Sequence, residues 1–162
     1  MSDRVGIGYD SHRFAAGRPL RLGGTTVPHT HGLVGHSDGD VVLHAVVDAI
    51  LGAAGLGDIG QHFSDEDPRW KGADSVRFAK AMPDLLAAGG YAVNQVDVTI
   101  LCERPKLAQH IPAMREATAK ALGVEVVDVS IKAKTNEGMG WEGRGEGIAA
   151  IAVATVRPAA AP

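Results

Sequence analysis

The most restrictive feature of the sequence is an unusually apolar helical segment at 38–54. Its residues are compatible with a helix throughout, with Ser37 and Asp38 as candidate N-caps and Gly55 and Gly57 as termination signals. Most faces of this helix are apolar, and such a helix is stable only when it is largely buried. We therefore predict that it packs into the one core that a chain of 162 residues can form.

Period-two alternation predicts strands on both sides of this helix. Val96, Val98 and Ile100 alternate with Asp97 and Thr99, which is the pattern of a strand with unlike faces. The predicted strands lie at 4–10, in a hairpin over 20–27 around two glycines, and at 93–103, 126–133 and 147–156. Further helices are predicted at 74–88, where Pro83 is expected to bend or break the helix, and at 112–122.

This order of elements predicts an α+β fold. We expect a single-domain sandwich of the ferredoxin-like kind, in which helices pack on one face of a mixed β-sheet. The domain is expected to span 1–157 and to be followed by a flexible Ala/Pro tail at 158–162. The spacing GxGxxG occurs at 55–60 and at 138–143, but neither segment lies between a predicted strand and a predicted helix, as a dinucleotide-binding loop must. No GxxxxGK[ST] segment occurs, so the sequence predicts neither a dinucleotide-binding fold nor a Walker-type fold.

Charge and composition exclude several classes of partner. The formal net charge is −3 and no long run of Lys or Arg occurs, which argues against binding to nucleic acid or to an anionic membrane. No apolar run reaches membrane-spanning length, and the single cysteine, Cys102, cannot form an internal disulfide. A cytoplasmic protein is therefore expected.

Two short patterns place metal-binding side chains where they can converge. Asp10 and His12 lie two residues apart on a predicted strand, so both side chains project from one face. On the central helix Asp40, His44 and Asp48 recur every four residues and form one polar stripe. The ordinary explanation is a solvated stripe and an ordinary loop. Because a buried imidazole or carboxylate needs a partner, Asp10, His12 and His44 are instead candidates for a catalytic metal site with an open fourth position, and Asp48 is a candidate to orient an imidazole.

Other polar segments are open to two interpretations. The tract at 36–40 lies at a helix N-terminus and either binds an anion or simply caps the helix. Lys132, Lys134, Thr135 and Glu137 mix phosphate-binding donors with a carboxylate that suits a hard cation, although a solvated loop has the same composition. The alternation of glycine with charge at 142–147 indicates tight backbone packing or a ring of charges at an interface.

Several of these segments together resemble the signatures of the 2-C-methyl-D-erythritol 2,4-cyclodiphosphate synthase family. The likeness covers about 5–156 in unbroken order, which is more specific than any single motif. The matching segments read GYDSH at 8–12, GHSDGDVVLHA at 35–45, GDIGQHF at 57–63 and GRGEG at 143–147.

The resemblance implies a homotrimer with active sites between subunits. It implies a catalytic divalent metal, usually Zn²⁺, on Asp10, His12 and His44, and a second ion, Mg²⁺ or Mn²⁺, that bridges the diphosphate with help from Glu137. His36 and Thr135 would hydrogen-bond the transition state.

The resemblance also implies which residues contact a cytidine diphosphate-linked substrate. The residues that would line the cytosine pocket are Cys102, Glu103, Arg104, Pro105, Lys106 and Leu107. The methylerythritol group would be held by Asp58, Ile59 and Gly60, and the lid would contain Phe63, Ser64 and Asp65. The other residues that would contact the substrate are Ser37, Lys134, Asn136, Trp141 and Arg144. Lys106 would lie near the nucleotide phosphate, and Ser37 and Arg144 would contact substrate phosphates. Asn136 and Trp141 differ from the family's common pattern, in which a threonine-rich tract and a phenylalanine stand at these places.

The reaction implied by the resemblance is cyclisation of 4-diphosphocytidyl-2-C-methyl-D-erythritol 2-phosphate with release of CMP, in non-mevalonate isoprenoid biosynthesis. Two alternatives remain open from the residues alone. A zinc-dependent phosphoesterase can use the same three ligands with a metal-bound water, and a trimeric ligand-binding module can use them as a structural metal clip.

Overall fold

A five-stranded mixed sheet forms the framework in the computed structural model, which describes residues 1–160. The seven strands are β1 (Arg4–Ala16), β2 (Leu20–Leu22), β3 (Thr25–Val27), β4 (His31–Leu33), β5 (Tyr91–Leu101), β6 (Val129–Lys134) and β7 (Gly147–Pro158). The helices are α1 (Val41–Ala54), α2 (Ile59–His62), α3 (Val76–Ala88), α4 (Ile111–Leu122) and α5 (Gly140–Gly143), with short 3₁₀ turns at Pro68–Trp70, Ala108–His110 and Val126–Asp128.

The strand order in the large sheet is β4-β1-β7-β5-β6, and β2 and β3 form a separate hairpin. All neighbouring pairs in the large sheet are antiparallel except β5 and β6, which run parallel and are joined through α4. The predicted α+β class and mixed sheet are therefore confirmed. The ferredoxin-like expectation is wrong, because the main elements follow the order β-α-α-β-α-β-β instead of β-α-β-β-α-β.

The central helix is buried as predicted, but it begins later than the capping signals suggested. Asp40, not Ser37 or Asp38, is the N-cap, and its carboxylate accepts the Leu43 N–H. The same carboxylate accepts the N–H groups of Gly23 and Gly24 at 2.9 and 2.7 Å, which ties the β2–β3 turn to the start of α1. Asp40 is fully buried because this turn covers it. It therefore does not belong to an exposed polar stripe.

Other element boundaries also differ from the sequence predictions. β1 continues past Asp10 to Ala16, because it pairs antiparallel with β7 as far as Arg13 and with β4 from Phe14 to Ala16. Pro83 lies inside α3 without ending it. The predicted tail begins too early, since Pro158 pairs with Tyr91 and the Ala159 N–H donates to the Gly90 carbonyl. The rest of that prediction falls partly on residues 161–162, outside the described residues. Within 1–160, no helix is long and apolar enough to cross a membrane.

Strand β1 and helix α1 pack at unusually short range. Gly6 and Gly8 face the helix, and a Cβ atom at either position would overlap backbone of Ala45, Ala49 or Ala53. The absence of a side chain at both glycines therefore lets the backbones meet. This contact decides how far His44 on α1 lies from Asp10 and His12 on β1.

We expect Gly8→Ala to lower the free energy of unfolding by about 3 kcal/mol or more, because the new methyl group has no space between the two backbones. Urea denaturation at fixed protein concentration measures the loss. Gly52→Ala is the matched control, since a Cβ there meets only the Ile7 carbonyl oxygen at 3.9 Å. The control should be neutral or stabilising by up to about 1 kcal/mol. Equal stability of the two variants would contradict the close-packing argument.

Candidate functional site

Three side chains from β1 and α1 converge at one point. The Asp10 Oδ2 lies 2.8 Å from His12 Nε2 and 3.0 Å from His44 Nδ1, and the two ring nitrogens are 3.1 Å apart. The side chains are 27%, 17% and 12% exposed, respectively, so the cluster is partly open to solvent. Within the described residues these three form a group that can hold a metal ion.

The spacing of these three atoms fits a tetrahedral zinc ion. Ligands at about 2.0–2.1 Å from a tetrahedral Zn²⁺ lie roughly 3.3 Å from one another. The observed separations of 2.8, 3.0 and 3.1 Å form a nearly equilateral triangle slightly smaller than that face. Two imidazole nitrogens facing each other at this distance require a proton or a cation between them. The donor set therefore suits a divalent metal bound by three protein ligands.

The electrostatics of the cluster depend on the pairing of Asp10 with both rings. Burial alone would raise the pKa of Asp10, but the hydrogen bonds and charges of His12 and His44 hold it well below its usual range. Burial alone would lower the pKa of His44, but the Asp10 hydrogen bond and the negative charges of Asp10, Asp40 and Asp38 raise it above 6.5. The carboxylate is thus ionised at neutral pH, and the protonated form of His44 must lose a proton before it can bind a metal.

The far side of His44 is held by serine hydroxyls and not by Asp48. His44 Nε2 lies 2.9 Å from Ser75 Oγ and 3.0 Å from Ser37 Oγ. Asp48 instead accepts the Ile59 N–H at 2.7 Å, because the turn after α1 brings that backbone over its carboxylate. The prediction that Asp48 orients the imidazole is therefore wrong, and the pKa of Asp48 is raised by its own burial. Ser75 was missed because its sequence signal is that of a helix N-cap.

The predicted anion-binding tract at 36–40 forms a loop whose backbone is held by an arginine side chain. Arg18, which is not among the predicted site residues, donates to the carbonyls of Gly35 and Ser37 at 3.3 and 2.9 Å. His36 is exposed between them, whereas the Ser37 side chain is buried against His44. The structure therefore leaves the His36 ring, but not the Ser37 hydroxyl, free to meet a ligand.

The predicted lid begins in an aromatic cluster. Phe63 packs against Phe78 and Trp70 with ring centroids 4.7 and 5.3 Å away, and Phe78 lies 6.0 Å from the His44 ring. Ser64 is half-buried and Asp65 is exposed. The start of this segment is therefore anchored close to His44.

The residues predicted to hold the methylerythritol group lie on the turn before the lid. Asp58 caps α2 by accepting the Gln61 N–H at 3.0 Å, and Gly60 is exposed beside it. The Ile59 N–H is bound to Asp48, so this turn is attached to α1 one helical turn beyond His44.

A separate cavity of about 390 Å³ lies at the carboxyl ends of the parallel strands β5 and β6. Its lining includes Lys134, Thr135 and four of the predicted cytosine-pocket residues, which are Cys102, Pro105, Lys106 and Leu107. None of the three residues of the candidate metal site lines it. Glu103 accepts the Asn136 N–H at 3.0 Å, which joins the two strand ends. Arg104 is exposed and lines a different cavity with Arg13 and His29.

Cys102 is a packing residue in this cavity wall. Burial raises the pKa of its thiol to about 12, and the thiol donates to the Arg104 carbonyl at 3.1 Å. A thiol of this kind is a poor nucleophile near neutral pH.

Glu137 has a strained backbone at the end of β6. Its φ of 53° lies in the left-handed region, which non-glycine residues seldom adopt and which is often found at functional sites. Its carboxylate is exposed and accepts the Thr135 hydroxyl at 3.2 Å. The two side chains therefore face the same space.

The segment 140–146, which contains α5, lies beside His12. Trp141 and Arg144 line a cavity of about 490 Å³ together with His12 and Arg13. Arg144 forms an exposed ion pair with Glu146 at 2.8 Å. The segment in which glycine alternates with charged residues thus places the Arg144 and Glu146 side chains next to the candidate metal site.

We expect metal binding to weaken as the pH falls. The pKa of His44 in the metal-free protein is raised above 6.5, so its protonated form predominates at and below that pH and competes with the metal. The same protonated ring, paired with Asp10, stabilises the metal-free protein below pH 6.5, and this contribution is lost as the pH rises through the raised pKa.

Competition with a chelator at pH 6 and pH 8.5 measures the apparent Zn²⁺ affinity. Below the pKa of His44, the apparent Zn²⁺ affinity should fall about tenfold per pH unit for each proton that the metal displaces. The variant His110→Ala, in an exposed turn, should give the same pH profile as the unchanged protein. A flat profile between pH 6 and 8 would contradict the assignment of His44 as a ligand.

Comparison with known proteins agrees with this geometry. The YgbB family matches residues 3–157. The chain is 54% identical to 2-C-methyl-D-erythritol 2,4-cyclodiphosphate synthase of Burkholderia thailandensis, over 99% of this chain and 100% of that protein.

Two solved structures share the fold. The bifunctional IspDF of Campylobacter jejuni is 38% identical with a TM-score of 0.92, and the match covers 96% of this chain and 42% of that chain. IspF of Plasmodium falciparum, in a CDP complex, is 29% identical with a TM-score of 0.85, and the match covers 98% of both chains. The family match and the near full-length identity establish that this chain belongs to the YgbB family.

Proposed function

We propose that this chain converts 4-diphosphocytidyl-2-C-methyl-D-erythritol 2-phosphate into 2-C-methyl-D-erythritol 2,4-cyclodiphosphate and releases CMP. The observation that carries the proposal is the convergence of Asp10, His12 and His44 in a chain that is 54% identical, end to end, to a synthase of that name. The activity is that of a phosphorus–oxygen lyase in non-mevalonate isoprenoid biosynthesis.

The substrate carries its own nucleophile, because its 2-phosphate attacks the β-phosphorus while CMP leaves. The protein therefore contributes by folding the substrate for in-line attack and by balancing charge. Asp10, His12 and His44 would hold a divalent ion, with Zn²⁺ the best fit to their spacing, and the bound ion would supply Lewis-acid chemistry at a phosphate oxygen. His36 and Thr135 donate hydrogen bonds to phosphate oxygens as charge moves to the leaving group.

Glu137 is the residue that we propose to hold a second divalent ion, Mg²⁺ or Mn²⁺. The exposed carboxylate on a strained turn, beside the Thr135 hydroxyl, supports this role. Lys134 and Arg144 are exposed cations that suit the substrate phosphates. Lys106 lines the cavity with Cys102 and Leu107, where we place the cytidine group. The CDP complex of the Plasmodium falciparum relative supports a cytidine diphosphate-linked substrate.

We further propose that the active protein is a homotrimer with active sites between subunits. The cavity that we assign to cytidine contains none of the metal-site residues in its lining, so one substrate must reach two separate regions. The sheet also carries an exposed apolar patch on the face opposite α1, formed by Val5, Ile7, Tyr9 and Val153. Ile7 and Val153 are directly paired across β1 and β7, so the patch is continuous. A second copy of the chain is the occupant that would complete the site.

A reducing compartment such as the cytoplasm fits a chain with one cysteine, whose thiol is buried.

The reaction is tested by ³¹P NMR of the protein with the proposed substrate, Zn²⁺ and Mg²⁺. Coupled signals of a cyclic diphosphate should appear together with CMP, and EDTA should suppress them, because the charge-balancing ions are removed. Linear phosphate products would show a phosphoesterase instead. Unchanged substrate would show a binding module.

The variant His44→Ala should lose Zn²⁺ binding and product formation together, since two ligands alone rarely retain the metal. His110→Ala is the matched histidine control and should leave both unchanged. Full activity of metal-free His44→Ala would contradict the metal assignment.

The oligomer is tested by light scattering coupled to gel filtration. We expect three chains per particle, and we expect Ile7→Asp to lower the particle mass because a carboxylate at the centre of the apolar patch would be buried without a partner. Val127→Asp is the control, since Val127 is an exposed apolar residue in a separate turn. A monomeric unchanged protein with full activity would contradict the shared active site.

A further inference from the structure

A serine and an aspartate lie in line behind the metal-site histidine. His44 Nε2 is 2.9 Å from Ser75 Oγ, and Ser75 Oγ is 2.5 Å from Asp38 Oδ1. Ser75 is fully buried, and the Asp38 side chain is 14% exposed. Neither residue is among the three ligands.

The direction of the hydrogen bonds follows from what each group can donate. A carboxylate oxygen only accepts, so the Ser75 hydroxyl must donate its one proton to Asp38. Asp38 already accepts two backbone donors, the Ser75 N–H at 3.0 Å and the Asp40 N–H at 3.1 Å, which fix the position of both carboxylate oxygens. The Ser75 oxygen therefore offers only lone pairs to the ring of His44.

The ring can make a hydrogen bond to Ser75 only when it carries its proton on Nε2, the nitrogen that faces Ser75. With Nε2 protonated and donating to Ser75 Oγ, the neutral imidazole keeps its lone pair on Nδ1. Nδ1 is the atom that faces Asp10 Oδ2 and His12 Nε2. The back of the ring therefore selects the tautomer that the metal site requires.

Ser37 completes the enclosure without changing this direction. Its Oγ lies 3.0 Å from His44 Nε2 and 3.3 Å from Ser75 Oγ, and it is 5% exposed. Its hydroxyl can donate to the Ser75 oxygen, which has a second lone pair available. Ser37 and Ser75 together cover Nε2.

Capping of α3 does not account for Ser75. It occupies the N-cap position of α3, but its side chain makes no capping hydrogen bond. The free Val76 N–H is instead accepted by Asp74. The Ser75 hydroxyl is directed to Asp38 and His44, where its bonds contribute to the site.

We propose that Ser75 and Asp38 are positioning residues for the metal: Asp38 orients the Ser75 hydroxyl, and Ser75 holds His44 with Nε2 protonated and Nδ1 directed at the ion. This inference rests on the proposed metal-binding role of His44. A carboxylate or carbonyl behind a ligating histidine typically changes metal affinity or activity about 10- to 100-fold. In this chain the carboxylate acts through an intervening hydroxyl.

The test measures Zn²⁺ affinity by chelator competition, without substrate. Ser75→Ala should bind Zn²⁺ about 10- to 100-fold more weakly than the unchanged protein. In the Zn²⁺-loaded unchanged protein, ¹H–¹⁵N NMR should show a slowly exchanging Nε2–H on His44, and this proton should exchange faster in Ser75→Ala. Co²⁺ substitution should show altered ligand-field bands in the variant, because the ring is no longer held in one orientation.

The matched control is Thr118→Val. Among residues 1–160, Thr118 is the other hydroxyl residue that is fully buried, and its Oγ1 donates to the Gly23 carbonyl and does not contact the site. It should lose stability without losing Zn²⁺ affinity. An equal loss of affinity in Thr118→Val and Ser75→Ala would overturn the proposal, because the effect would then be one of general packing. Affinity of Ser75→Ala within about twofold of the unchanged protein would also overturn it.

Asp38→Asn provides a second, independent variant. Its amide cannot accept at both oxygen positions, so the Ser75 hydroxyl loses its fixed direction. The double variant that combines Asp38→Asn with Ser75→Ala should bind Zn²⁺ about as weakly as Ser75→Ala alone, because both changes remove the same chain of hydrogen bonds. Fully additive losses would overturn the proposed connection between Asp38 and Ser75. If the unchanged protein bound no Zn²⁺, the proposed function itself would fail, and the two failures are thereby separated.

Discussion

The close contact between β1 and α1 is the constraint on which the site depends. Asp10 and His12 belong to the strand and His44 belongs to the helix, so the three ligand atoms meet only if the two backbones approach closely. Gly6 and Gly8 make this possible because they present no side chain to the helix. A larger residue at either position would separate the elements, and a triangle with sides of 2.8 to 3.1 Å leaves little room for such a shift.

Polar residues are buried mainly where α1 begins, and each has partners. The buried polar residues of the described chain are Ser37, Asp40, Ser75 and Thr118, and no buried side-chain nitrogen or oxygen there lacks a hydrogen bond. Asp40 connects the β2–β3 turn to the helix, and Ser37 and Ser75 contact His44. A satisfied polar group in the core contributes rigidity, whereas an unsatisfied one costs about 1–3 kcal/mol. The same end of the helix is therefore both structurally fixed and chemically specialised.

The cavity that we propose as the second region of the site follows from the parallel pair β5 and β6. Parallel neighbours end at the same edge of a sheet, so the segments after Leu101 and Lys134 meet there and enclose the cavity next to Cys102 and Leu107. Glu103 joins these segments by accepting the Asn136 N–H. The two regions are built on different strands of the sheet. In the proposed trimer, the exposed apolar face of the sheet would be the surface on which a second subunit brings them together.

Local patterns in the sequence were sufficient for the central helix, the hairpin at 20–27, the α+β class and the grouping of Asp10, His12 and His44. Those features depend on side-chain periodicity and on apolar burial, which are readable over a few residues. The family motifs predicted a likeness to a cyclodiphosphate synthase, and the family match and the 54% identical relative agree with that prediction.

Only the tertiary structure decided that Asp40 caps α1, that β5 and β6 run parallel, and that Ser75 instead of Asp48 contacts His44. Ser75 and His44 are 31 residues apart, and no spacing rule relates a helix N-cap to a histidine on another helix. Such contacts depend on how whole elements pack, which is a property of the complete core. The sequence by itself determined which side chains were available, and the packing of the core decided which of them meet.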